Sequence, residues 1–137
     1  MASPESFDVI HDHLVAVWTA TDLIFENEDW PQPDIPELFV YVEIFGTFYD
    51  QMSIGSGTQA GNLWREGGSV DMHVMMPKGV GTRQARVLAK QLADIFRGQE
   101  IGSVRFRNAS IGAGEPIRTP PGQYSAMTAT IEFERDE

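Results

Sequence analysis

Three histidines and a loose scatter of acids are the first residues to test for chemistry. His11 and His13 flank Asp12, and the third, His73, lies far along the chain. Imidazole and carboxylate are ligands that Zn2+ accepts. Residues two apart on a helix do not share a face, however, so this pair cannot clasp one ion, and H-E-x-x-H spacing is absent. A second candidate is Gly79-Val80-Gly81-Thr82-Arg83, between a strand pattern and a helix pattern. Such a turn can offer backbone N–H groups to an anion. It matches neither G-x-x-x-x-G-K-[ST] nor G-x-G-x-x-G, so it reads as a plain turn. A third is Glu26 to Asp34, which holds four carboxylates. Pro31, Pro33 and Pro36 keep that stretch extended, where no cleft forms for general acid–base work. With no cysteine there is no thiolate nucleophile, and no G-x-S-x-G elbow is present. The expectation is a non-enzyme that needs no cofactor and no metal.

The elements that position these residues follow from periodicity. Ser3-Pro4-Glu5 is a helix start: a hydroxyl cap, proline in the first turn, then an acid. Phe7, Ile10, Leu14, Val17 and Trp18 continue at helical spacing, predicting a helix from Pro4 to Ala20. Leu38 to Phe45 is the strongest strand signal, apolar on both faces and hence covered on both. Phe48, Met52 and Ile54 extend into a further strand, followed by a flexible polar run, Gly55 to Gly61. Val70, Met72, Val74 and Met76 alternate with Asp71 and His73, the pattern of a half-buried strand ended by Pro77. Met75 and its neighbours read as pliable core. Ala85, Leu88, Leu92, Ile95 and Phe96 then form a helical stripe that Gly98 terminates. Ile101 to Asn108 reads as a short edge strand, Ile111 to Gly122 as a long loop, and Tyr124 to Glu134 as an alternating strand with one wet face. The fold class is α+β: a mainly antiparallel sheet of four or five strands with two helices on one face.

Bulk properties bound the rest. The chain has 137 residues, 42% of them hydrophobic, which suits one domain over 1–137 with long loops near 55–68 and 111–122. No apolar run reaches the ~20 residues of a membrane span, and no signal peptide is expected. Ten cations against 20 acids give a net charge of −10, which disfavours wrapping a phosphate backbone. Glycine-rich loops on a small rigid domain suit partner contacts. Arg65, Arg105, Arg107 and Arg118 lie in or beside them and can meet acids on a neighbouring copy.

In order and spacing, these features resemble the tail terminator proteins of long-tailed (siphovirus-like) bacteriophages and related gene transfer agents. The resemblance rests on the amphipathic first helix, the acidic proline turn Asn27 to Pro36 with Trp30, and the aromatic strand Leu38 to Phe45. It continues through Arg65-Glu66-Gly67-Gly68, the Pro77 to Gly81 turn, the helix ending in Phe96-Arg97-Gly98, and Gly122-Gln123-Tyr124. It implies a structural virion protein of the tail and neck region, assembled in the host cytoplasm. Its role would be a hexameric ring that caps the tail tube, ends tube polymerisation and meets the head connector or stopper. DNA would pass through the lumen without specific binding. Candidate interface residues are Gly55, Gly57, Arg65, Glu66, Arg105, Arg107, Arg118 and Tyr124. The alternatives are another neck or tail-tube component, or a small-ligand-binding or catalytic α+β domain.

Overall fold

The computed structural model describes residues 3–26, 28, 38–77, 79, 81–113 and 124–137. The acidic proline turn, Arg118 and most of the Ile111–Gly122 loop lie outside them. Among the described residues two helices accompany six strands, an α+β arrangement. In chain order these are α1 (Pro4–Val17), β1 (Asp22–Phe25), β2 (Phe39–Gln51), β3 (Trp64–Pro77), α2 (Arg83–Phe96), β4 (Glu100–Ile101), β5 (Val104–Ala113) and β6 (Tyr124–Asp136). They form one sheet ordered β1-β2-β3-β6-β5-β4. All neighbours are antiparallel except β1 and β2, so the sheet is mixed and has more strands than the four or five expected.

Both helices form for the reasons their sequences give. The Ser3 hydroxyl accepts the Ser6 N–H at 3.3 Å, and Pro4 opens α1. The helix stops at Val17, short of Ala20, because Trp18 turns extended and its indole donates to Thr21 at 2.9 Å. That exit sends Asp22–Phe25 alongside β2. Helix α2 ends as the glycine signal requires: Gly98 follows with φ +67, a left-handed conformation costly for residues with a Cβ.

Side chains of α1 and α2 share one core with one sheet face. Ile10, Leu14, Leu92 and Phe96 meet Val42, Met72, Ala129 and Phe133, all nearly solvent-free. Burying each large apolar side chain contributes about 1.5–3 kcal/mol, so this layer dominates stability. The other face is not the wet one that the alternation of β3 suggested. Phe39, Tyr41 and Met75 are buried there, and so are Glu43, His73 and Thr128.

Two strands run further than expected. β3 begins at Trp64 and β6 ends at Asp136, so Gly67 and Gly68 are ladder residues. A bulge between Gly46 and Phe48 brings the chain so close that a Cβ on Gly68 would lie 1.8 Å from the Phe45 carbonyl oxygen. Only glycine fits there. Residues 111–113, expected in a loop, continue β5 after a second irregularity between Phe106 and Ala109.

Candidate functional site

The hairpin joining β2 to β3 ends in a loop that combines order with exposure. Its glycine-rich run is less free than its composition implies. The Asn62 side chain accepts from the Ser56 N–H at 3.3 Å and donates to the Ser56 and Thr58 carbonyls at 3.1 and 3.2 Å. The Trp64 indole donates to the Gln59 carbonyl at 3.0 Å, above a single 3-10 turn at Gln59–Gly61. Gly55 is exposed with φ +125, and Gly57 is exposed with open space about it. Around this ordered tip, large apolar side chains face solvent: Phe48, Tyr49, Met52, Leu63 and, 92% exposed, Ile54. Exposed apolar side chains this numerous along one hairpin exceed the scattered single ones that a surface ordinarily carries. The sequence offered a faint signal, isolated aliphatics among Gly, Ser and Thr, and it read as a strand continuation instead.

Below the hairpin, three of the expected arginines converge. Arg65, Arg105 and Arg107 sit on the sheet face away from the helices, at the end where β3, β5 and β6 pair. Arg65 grips Asp136 with two bonds, 2.7 and 3.2 Å, and Arg105 reaches the same carboxylate at 3.4 Å. Arg107 pairs with Glu134. Arg65 and Arg105 hold the Asp136 carboxyl down at about 2. These cations therefore already have acids in their own chain. Exposed pairs of this kind add little stability each, and they leave a fixed pattern of charge at the surface.

Glu66 has a different part from its neighbour. It is 4% exposed, on the helix-covered face, and its carboxylate is fully engaged. The Ser3 N–H donates to it at 3.2 Å, the Ser3 and Ser6 hydroxyls donate to it, and Arg135 donates at 2.8 Å. Burial pushes the carboxyl up, but these four donors outweigh it and hold it below the usual range. Glu66 ties the start of α1 to the sheet and offers no carboxylate to a partner. Tyr124 opens β6 opposite Pro77, and Arg118 lies outside the described residues.

The third histidine has the most specific surroundings. His73 Nε2 lies 2.8 Å from Glu43 Oε1, and Nδ1 lies 2.7 Å from the Thr128 hydroxyl. The Tyr41 ring stacks on it at 6.2 Å. Burial pushes the imidazole down to about 4, against the pull of Asp71. A neutral ring, with Nε2–H donating to Glu43 and the Thr128 hydroxyl donating to Nδ1, satisfies both contacts. His11 and His13 point to opposite flanks of α1: His11 stacks between Phe7 and Phe25, and His13 meets Phe96. Among the described residues no three His, Asp or Glu side chains are placed to hold a metal ion. No described helix is long and apolar enough to cross a membrane.

Fold and surface together define an α+β domain with an apolar hairpin end beside a charged strand end. No protein-family model matches the chain, and no curated protein matches it. A solved structure resembles it with a TM-score of 0.55 and 21% identity. The likeness covers 96% of this chain and 91% of that one, and at this identity it concerns the fold alone.

Proposed function

We propose that this chain is a structural ring subunit of the tail-terminator type. It caps a phage-like tail tube, ends its polymerisation and presents the junction to a head connector. The observation that carries this reading is the hairpin end. Ile54, Met52 and Leu63 are held in solvent on a loop that Asn62 and Trp64 keep in shape. A shaped apolar tip is prepared for a protein surface, which buries such side chains at little further entropic cost. The order of helices, strands and turns that resembles tail terminators supplies the identity of the partner class. The acidic balance of the chain, −10, suits a lumen past which DNA slides without sticking. The role is assembly, not catalysis, in a virion neck. Native mass spectrometry tests it. A six-subunit species is expected, alone or on adding tail-tube protein. A monomer that stays monomeric with tube protein present would overturn the reading.

A further inference from the structure

The two helices carry opposite charge on their outward faces. Helix α1 exposes Glu5, Asp8 and Asp12 and contains no lysine or arginine. Ser6, Ile10 and Leu14 are its buried residues, so at ~100° per residue Asp8, Asp12 and Val15 share the face opposite the core. Helix α2 exposes Arg83, Arg86 and Lys90, with Arg97 at its end, against a single acid, Asp94. Its core face is Ala85, Ala89, Leu92 and Phe96, and Leu88 and Ile95 pack against the same core. The cations therefore form a stripe on one flank. In a chain with ten cations and 20 acids, this is a pronounced segregation of charge.

Part of each face is unspent within the chain. Asp94 engages Lys90 at 3.2 Å and Arg97 at 2.8 Å. The Arg86 guanidinium donates to the Thr82 hydroxyl at 3.2 Å, and among the described residues neither Arg83 nor Arg86 meets a carboxylate. Asp8 meets no cation among them, and Asp12 meets only His11, at 3.1 Å. Each face also exposes an aliphatic side chain, Val15 at 54% on α1 and Val87 at 41% on α2. An apolar centre bordered by charge is the composition of a protein interface. Helix α1 lies on the β1 side, where Phe7 and His11 pack on Phe25, whereas α2 packs over β3, β6 and β5. One copy's acidic face can thus meet the next copy's basic face without either being used twice.

We infer that the subunits join head to tail through these faces, the Asp8–Asp12–Val15 side of α1 on one copy against the Arg83–Arg86–Val87 side of α2 on the next. The occupant is a second copy of this chain, because the complement of each face is found on the chain itself. Each face laid against its own equivalent would oppose like charges, so the acidic face meets the basic one. With the two faces of a subunit taken by different neighbours the contact is heterologous, and such contacts close into rings when the rotation allows. This inference rests on the ring reading above and gives it an interface.

Charge reversal tests it. Asp8→Lys with Asp12→Lys makes both faces basic, and Arg83→Glu with Arg86→Glu makes both acidic. All four positions are exposed, and circular dichroism checks that each variant folds. Each double variant alone should raise the protein concentration needed for half assembly at least about tenfold. An equimolar mixture of the two should recover assembly as rings with three copies of each, resolved by mass. The chain carrying all four reversals should assemble by itself. Two folded variants that assemble like the parent, or a mixture and fourfold variant that both stay apart, would overturn the interface while leaving the ring reading intact. A parent that never assembles would instead sink the ring reading. Retention of duplex DNA by the parent, lost on reversing Arg83 and Arg86 with assembly unchanged, would reassign the basic face to nucleic acid and overturn the inference.

Discussion

One strand contains both characters of this molecule. From Phe39 to Ile44 every residue of β2 is buried, and from Gly46 to Gln51 every residue is exposed. Both halves are rich in aromatics, and both pair with β3 in one antiparallel ladder. What separates them is what lies on the strand. The first half lies between β1 and β3 with both its faces covered, and it ends where Glu26 accepts the Ile44 N–H at 2.8 Å. The second half begins at the bulge over Gly68 and runs out to the hairpin tip. A pair of aromatics thus serves as core in one half, beside Val40, Val42 and Ile44, and as presented surface in the other, beside Thr47, Asp50 and Gln51.

The widest separation between the halves should come from truncating the core one. Phe39→Ala should cost about 3–5 kcal/mol of folding stability, read by chemical denaturation. A loss below ~1 kcal/mol would mean that the second sheet face is not a packed layer. Acid should come next. His73, with its pKa lowered to about 4 from 6.5, stays neutral in the folded chain while its unfolded counterpart takes up a proton. The unfolded state then binds more protons, so stability falls as pH drops from 6.5 toward 4 and levels off below that for this group, by on the order of 3 kcal/mol. Glu66, held low, adds loss as its own carboxyl protonates, whereas Glu26, raised chiefly by burial, acts in the opposite direction. Denaturation midpoints measured from pH 7 to pH 4.5 should slope for the parent and flatten for His73→Gln. The smallest effect on folding belongs to the tip. Ile54→Ser should change stability by no more than about 0.5 kcal/mol yet impair assembly with tube protein. If it unfolds the chain, the exposed half is not a presented surface.

Much of the architecture was legible locally. Helix α2 and its glycine stop, the alternation of β3 and β6, and the doubly covered start of β2 follow from periodicity within single segments. Most of the misses are non-local. Strand β1 is four residues long, and it became visible only through parallel pairing with β2. His73 looked solvent-facing because period-two patterning cannot report that Glu43 and Thr128 arrive from two other strands. Ser3 was recognisable as a cap, but its second task, bonding Glu66 across the chain, left no mark in the sequence. Of the candidate site, the alternation that puts Arg105 and Arg107 on one side of a strand was legible, whereas the arrival of Arg65 from β3 at the same end of the sheet, and the acid partners in β6, were not.

The indole of Trp64 gives the hairpin end an optical consequence. It donates to the Gln59 carbonyl and stands 6.2 Å from the Tyr49 ring, half-buried where the loop meets the sheet. Indole emission follows the polarity around the ring, and a protein surface closing over the tip would replace water there. The chain therefore carries its own fluorophore at the place where an arriving partner would change the light it emits.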